Sequence, residues 1–298
     1  LTAFAKARIS GPGAHDFLNG LVANQVPTQD GRIALCHALG QNGGVHSEFT
    51  LHREAENCYY AVSAGVYTRI DHDWIGKHLP ADGSVRFDDL STRLGTLVVA
   101  GPKSRELLQR VSADDFSNAG FKWLTGRDVC IGMAPVKAMR VNFIGELGWE
   151  LHHPMEMQNH LFDILMAAGE DLGIKPFGIR AMEGMRIEKT YRMPGHELSI
   201  EYAALESGLE RFVKFDKGDF LGRQALIDWQ AQGFANQLAT TGGYGFRLDR
   251  SLAIAMVRPE LAAVGNELEM DILGRRHRVT IIPESPYDPD NKRLRDVA

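Results

Sequence analysis

The sequence predicts an α+β fold: two related modules, each with helices on a mainly antiparallel sheet, and a small all-β domain after them. Three observations carry that expectation. Ala7-Arg8-Ile9-Ser10-Gly11-Pro12-Gly13-Ala14 leads into a helical pattern marked by Phe17, Leu18 and Leu21. Leu97-Val98-Val99-Ala100-Gly101-Pro102-Lys103-Ser104 repeats the pattern 90 residues later, with Leu107, Leu108 and Val111 following. Both read as strand, Gly-Pro turn, helix, with proline near a first turn whose N–H has no helical acceptor. Second, hairpin-like strands follow each unit, which suits a duplicated module. Third, after about residue 240 the pattern changes to short strands and turns, ending in a tail with Pro283, Pro286 and Pro289. A chain of 298 residues has core enough for two or three domains. We expect a first region over 1–235, divided near 95/96, and a C-terminal domain over 236–298.

The elements follow in order. From Val45 to His52 the chain alternates, with Val45, Ser47, Phe49 and Leu51 on one face and His46, Glu48, Thr50 and His52 on the other; Gly43-Gly44 precedes it. The stretch Phe143-Ile144-Gly145-Glu146-Leu147-Gly148-Trp149-Glu150-Leu151-His152 reads as a glycine turn feeding a short strand. On that strand Trp149 and Leu151 point one way, Glu150 and His152 the other. Gln158 to Ala168 reads as a helix with Leu161, Phe162, Leu165 and Ala168 buried, ended by Gly169. A helix over about Gly178–Thr190 places Arg186 within the apolar stripe of Ile179, Met182 and Met185. A guanidinium there must find an anion or carbonyls, because an unpaired buried charge costs several kcal/mol. Either an ion pair with Glu183 or Glu188, or a bound ligand, would serve. Lys217-Gly218-Asp219-Phe220-Leu221-Gly222-Arg223 reads as a helix start with Asp219 as N-cap.

Composition removes several function classes. A net charge of -5 gives no electrostatic footprint for nucleic acid. No apolar run approaches membrane-spanning length. Three scattered cysteines, Cys36, Cys58 and Cys130, argue against a disulfide framework or a cysteine zinc site and suit a reducing cytoplasm. The eleven histidines lack helical zinc spacing, so no metal is expected. The opening Leu1-Thr2 reads as a strand already entering a fold, with sequence upstream of it expected.

The Gly43-Gly44 strand, the Gly145–Glu150 turn, Arg186-Ile187-Glu188-Lys189 and Lys217–Arg223 resemble, in this order, the glycine-cleavage T-protein (aminomethyltransferase) family. Within it the chain is most similar to the tetrahydrofolate-binding C-terminal half of bacterial dimethylglycine and sarcosine dehydrogenases. Glu206-Ser207-Gly208-Leu209 and Ser285-Pro286-Tyr287-Asp288-Pro289 sharpen the likeness, which spans nearly the whole chain. The resemblance implies two ferredoxin-like modules in a ring around a central folate cavity, plus a C-terminal β-barrel. It implies tetrahydrofolate as cofactor, with FAD only through an upstream flavin domain, fused or separate, which this chain lacks. Glu150 matches the family's pterin-gripping glutamate, and a carboxylate can accept two parallel hydrogen bonds from an aminopyrimidinone edge. Trp149 and His152 flank it and are counted with it as cofactor-binding. Arg186 matches a family arginine near the cofactor. Phe143 stands where such dehydrogenases tend to have a tyrosine, so a hydroxyl contact is lost.

Glu48 stands where the family carries an acid/base aspartate and is the expected catalytic residue. Ser47 replaces a second family aspartate, which argues against a stand-alone glycine-cleavage component. The stretch from Ala225 to Gly242 is shorter than the family pattern by about a strand pair. The expected function is tetrahydrofolate-dependent one-carbon transfer, with an N-methylated amino-acid-derived small molecule as donor. A stand-alone aminomethyltransferase and a folate-dependent demethylase are the alternatives. A non-catalytic folate-binding assembly protein is disfavoured, since Asp219 occupies the place of the cysteine those relatives carry. Lys189 and Arg211, with Arg186, are candidates for the folate's glutamate tail.

Overall fold

A computed structural model describes residues 4–296, apart from the side chains of 239–242. The first module runs β1 (Phe4–Ser10), α1 (Ala14–Leu21), β2 (Ile33–Leu39), β3 (Val45–Ala55), β4 (Cys58–Ala64), α2 (Thr68–His78) and β5 (Arg86–Asp89). Its antiparallel sheet has the order β2-β3-β4-β1-β5. The second module runs β6 (Leu94–Ala100), α3 (Ser104–Val111), β7 (Gly126–Ile131), β8 (Ala134–Met139), β9 (Gly148–Pro154) and α4 (Gln158–Ala168). Its order is β6-β9-β8-β7. Read from the other edge, this repeats the first sheet strand for strand, without a counterpart of β5. The internal echo of the sequence is therefore a duplication of topology.

Each sheet packs one face on its own helices. Ile9, Cys36, Phe49, Leu51, Tyr59 and Ala61 bury against Leu18, Leu21, Trp74 and Ile75. Val99, Val129, Val136, Trp149 and Leu151 bury against Leu107, Leu108, Leu161 and Leu165. The opposite faces meet each other through Ile33, Tyr60, Val62, Leu90 and Met139, with Phe4 and Leu124 beside them. A strand covered on both sides reads as almost continuously buried, and β9 is.

After α5 (Ile179–Glu188) and a long irregular segment come α6 (Arg223–Gln232), β10 (Gln237–Gly245), β11 (Arg250–Val257), β12 (Glu267–Ile272), β13 (Arg275–Thr280) and α7 (Lys292–Arg295). Among the described residues the last strands form two antiparallel hairpins, β10-β11 and β12-β13, rather than a closed barrel. The tail is laced to α5 and the second module: the Tyr287 hydroxyl donates to Glu146 (2.7 Å), Lys189 Nζ to the Asp288 carbonyl (2.6 Å), and Arg140 to the Arg295 carbonyl (2.9 Å).

Two local expectations need correcting. Asp219 caps no helix: its carboxylate accepts from Phe220 N–H, and α6 starts behind Gly222, whose φ of 83° suits only glycine well. The stripe of α5 is not its buried side either. Ile179 is 66% exposed, and burial is confined to the last turn, Arg186, Ile187 and Glu188. No helix among the described residues is long and apolar enough to cross a membrane.

Candidate active site

The glycine turn that precedes β9 does two jobs. Gly145 has φ 70°, and a Cβ there would lie 2.2 Å from Lys189 Cγ. At Gly148 a Cβ would come within 2.7 Å of the Val99 carbonyl oxygen on β6. The turn thus lets the Lys189 stem cross it and lets β9 close onto β6, which fixes the pleat. Trp149 then points into the helix-covered core and Glu150 toward the other module.

Glu150 is 8% exposed, and its Oε2 lies 3.2 Å from His152 Nε2. His152 is fully enclosed, and its Nδ1 lies 3.0 Å from the Tyr60 hydroxyl on β4 and 3.1 Å from the Thr96 hydroxyl on β6. Burial holds the imidazole pKa below its ordinary value, against the pull of Glu150. A neutral ring with its proton on Nε2 suits every contact: Nε2–H donates to the carboxylate, and the Nδ1 lone pair faces two hydroxyl donors. Burial also raises the Tyr60 pKa, with the Glu150 charge adding to it, so this hydroxyl stays protonated. Lys6 on β1 is fully buried; burial lowers its pKa, while Asp89 and Glu150 oppose the shift. Glu150 is thus a buried carboxyl group with a hydrogen-bonded support behind it and a lysine in its field.

Glu48 lies on the corresponding face of the first sheet. The register of β2 and β3 sets it directly opposite His37, and Nε2 of that buried ring is 2.9 Å from Glu48 Oε2. Phe212 packs on the His37 ring at 5.2 Å between centroids, and the exposed Arg211 lies over Phe212 at 4.6 Å. Phe143 is half-buried, 6.1 Å from the ring of Tyr191. Burial pushes the Tyr191 hydroxyl up to about 12, with Arg211 pulling down and Asp288 pushing up. Its neighbours therefore link the Phe143 and Arg211 surroundings.

Two expected cofactor residues are spent elsewhere. Trp149 is fully buried between Phe116 and Phe121, on the face of β9 opposite Glu150. Arg186 is 2% exposed; it donates from Nε and Nη2 to Glu183 and from Nη1 to Glu197 (2.9 Å) and the Tyr191 carbonyl (2.8 Å). Every guanidinium nitrogen has an acceptor in the chain, so Arg186 holds the loop that carries Tyr191. Lys189 likewise gives its Nζ to Asp288 and Asn291. Sequence reasoning missed Lys6, His37, Tyr60 and Tyr191. Only the strand alternation around Lys6 and Tyr60 offered a signal.

With this geometry in place the comparisons are decisive. The GCVT N-terminal domain profile matches residues 1–217, and the glycine cleavage T-protein C-terminal barrel domain matches residues 238–288. The chain belongs to the glycine-cleavage T-protein family. Human mitochondrial dimethylglycine dehydrogenase is 33% identical over 313 residues, covering 95% of this chain and 36% of that protein. An aminomethyltransferase of Caldanaerobacter subterraneus subsp. tengcongensis is 26% identical over 96% of this chain and 83% of its own length. The 4-methylaminobutanoate oxidase (formaldehyde-forming) of Paenarthrobacter nicotinovorans is 28% identical, over 99% and 39%. The chain thus spans little more than a third of the dimethylglycine dehydrogenase. The crystal structure of the Bartonella henselae glycine cleavage system aminomethyltransferase T superposes with a TM-score of 0.86 over 97% of this chain and 85% of that one, at 16% identity. This T-protein-family chain therefore shares the fold of that structure over nearly its own length.

Proposed function

We propose that the chain is a tetrahydrofolate-dependent one-carbon transferase, the folate-binding part of a dimethylglycine or sarcosine dehydrogenase-like oxidoreductase. The observation that carries the reading is Glu150: a buried carboxylate aimed between two facing sheets, with the neutral imidazole of His152 as a close side-chain donor. A carboxylate can accept about four hydrogen bonds. The remaining capacity suits an aminopyrimidinone edge, which offers two parallel N–H donors, and the half-buried Phe143 and Tyr191 rings, 6.1 Å apart, suit a flat heterocycle. Tyr191 also brings a hydroxyl beside the position where Phe143 lacks one.

Tetrahydrofolate, when bound, supplies the nitrogens that receive a carbon at the formaldehyde level. The chain supplies orientation and a base. His152 holds Glu150, Tyr60 and Thr96 hold His152, and Lys6 lies in the field of the carboxylate. Glu48 takes the proton that a reacting N–H must lose. Enclosure between the sheets does most of the work, since trapping a reactive electrophile needs positioning more than activation. Arg211, open to solvent, is the cation left for a glutamate tail once Arg186 and Lys189 are spent. An N-methylated amino acid is the carbon source in this reading, and a flavin domain outside this chain is the partner. A reducing compartment such as the cytoplasm suits the three free thiols. The similarity to an aminomethyltransferase over most of that protein's length favours a second reading, a transferase acting without a flavin domain.

Calorimetric titration with tetrahydrofolate tests the assignment. Two charge-assisted hydrogen bonds are worth roughly 3–6 kcal/mol together, so Glu150→Ala should weaken binding by about 100-fold or more. Glu48→Ala should bind normally and lose about 10²–10⁴ in carbon transfer, the usual share of a general base. Unchanged affinity in Glu150→Ala removes the site.

A further inference from the structure

His37 was not part of the sequence expectation, and its pairing differs from that of the two buried histidines of β9; like His52 it keeps an orphaned Nδ1, but its paired nitrogen meets a carboxylate rather than a carbonyl. His153 has both nitrogens matched, Nδ1 to the Leu151 carbonyl and Nε2 to Gln158. His152 is matched on both sides as well. His37 is 1% exposed, gives Nε2 to Glu48, and leaves Nδ1 buried without a hydrogen-bond partner among the described residues. A ring serving only as packing would cost less as an apolar side chain, because an unmatched buried polar atom opposes folding. The ring's lasting asset is therefore the one hydrogen bond to Glu48.

Three elements aim that bond. The β2–β3 register sets His37 and Glu48 directly across from one another, and a register shift between Ala38 and Leu39, one residue on, re-aims the end of β2. Phe212, from the turn Glu210–Phe212, packs against the ring. Glu48 is the partly open member of the pair, with 18% of its side chain exposed. Across the β2–β3 pair the carboxylate reaches His37 at 2.9 Å, a contact that a side chain one methylene shorter would lengthen.

We propose that His37 is a positioning residue for Glu48: Nε2–H fixes Oε2, which leaves Oε1 as the oxygen turned toward the space between the sheets. The inference rests on Glu48 being the base. Its first test needs no ligand. Imidazole ¹⁵N NMR of the unliganded protein should place the His37 proton on Nε2, and Glu48→Ala should remove that preference. A proton on Nδ1 in the wild type overturns the proposal.

The second test uses tetrahydrofolate and formaldehyde, with rates taken above the uncatalysed condensation. Misplacement of a catalytic group by a fraction of an ångström costs on the order of tenfold, so His37→Phe should lower kcat by about that factor while tetrahydrofolate Kd stays unchanged. His37→Gln keeps an N–H donor and should recover most of the loss. In the Glu48→Asp background His37→Phe should cost nothing further, because the shorter acid has already left the contact. Wild-type kcat in His37→Phe overturns the proposal while leaving Glu48 in place, provided Glu48→Ala is impaired. An unimpaired Glu48→Ala instead strikes the assignment of the base. Should His37→Phe not fold, the tautomer and its response to Glu48→Ala decide alone.

Discussion

On β9 the pleat sends Trp149 into the core with Phe116 and Phe121, while Glu150, one residue on, faces the other module. The two side chains are expected to fail differently. Trp149→Ala should destabilise the fold by about 3–5 kcal/mol, as large aromatic truncations do, measured by urea unfolding. The tetrahydrofolate affinity of the folded Trp149→Ala protein should stay within a few fold of wild type; a loss matching that of Glu150→Ala would return Trp149 to the binding surface. The alternation of this strand was legible because polar and apolar residues take turns along it. Which face carries the proposed site was less so: β9 is covered on both sides, and burial alone does not distinguish Trp149 from Glu150. His37 was hidden for another reason. Its pairing with Glu48 depends on a loop and a register shift, and neither leaves a mark in residue periodicity.

At the scale of single elements, α4 over Gln158–Ala168 has the bounds its sequence pattern marks, and Leu161 and Leu165 bury as expected, but Phe162, one residue round from Leu161, falls off the buried stripe and is 44% exposed. For α5 the pattern misled. Its methionines and Ile179 lie on a half-open surface, and what anchors the helix is polar: Arg186 between Glu183 and Glu197, and Glu188 accepting from Arg247 N–H (2.7 Å) and Leu248 N–H (3.2 Å). Such partners come from segments far along the chain, so no local spacing shows them. Arg186→Leu leaves Glu197 largely buried without its cation and should cost about 3–5 kcal/mol. Arg186→Lys should recover little, since one ammonium cannot span two carboxylates and a carbonyl. Both losses should appear in thermal unfolding. Tetrahydrofolate bound per folded molecule should hold nearly constant; a selective binding defect in Arg186→Lys would place the guanidinium at the ligand instead.

For the whole molecule the deciding feature is how the duplicated sheets are held face to face, since the proposed site lies between them. Part of that hold is apolar, but at one end it is electrostatic. Glu54 on β3 accepts from Arg8 Nε on β1 (2.7 Å) and pairs with Lys137 on β8 of the second module (3.1 Å). Next to it, His52 Nε2–H donates to the Gly126 carbonyl (3.1 Å) on β7. Burial would push the Glu54 pKa up, but Arg8 and Lys137 outweigh it and hold the carboxyl at about 2, against an ordinary 4.5. Burial, with Lys137 adding to it, holds His52 at about 4 against 6.5. For Glu54 the folded pKa lies below the unfolded one, so its stabilisation is complete above pH 4.5 and vanishes as pH falls to about 2. For His52 the unfolded chain binds the proton first, so stability is lost from pH 6.5 down to about 4. Acid should therefore loosen the contact between modules in two overlapping steps, with the Glu54 share worth on the order of 3 kcal/mol. Glu54→Gln should be less stable than wild type at pH 7 and should lose less than wild type does between pH 4.5 and 2.5. In urea unfolding across that range the two curves should converge as the pH drops. Curves that stay parallel would mean that the clamp carries no net stability, and that the apolar contact of Tyr60, Val62 and Met139 alone keeps the two sheets together.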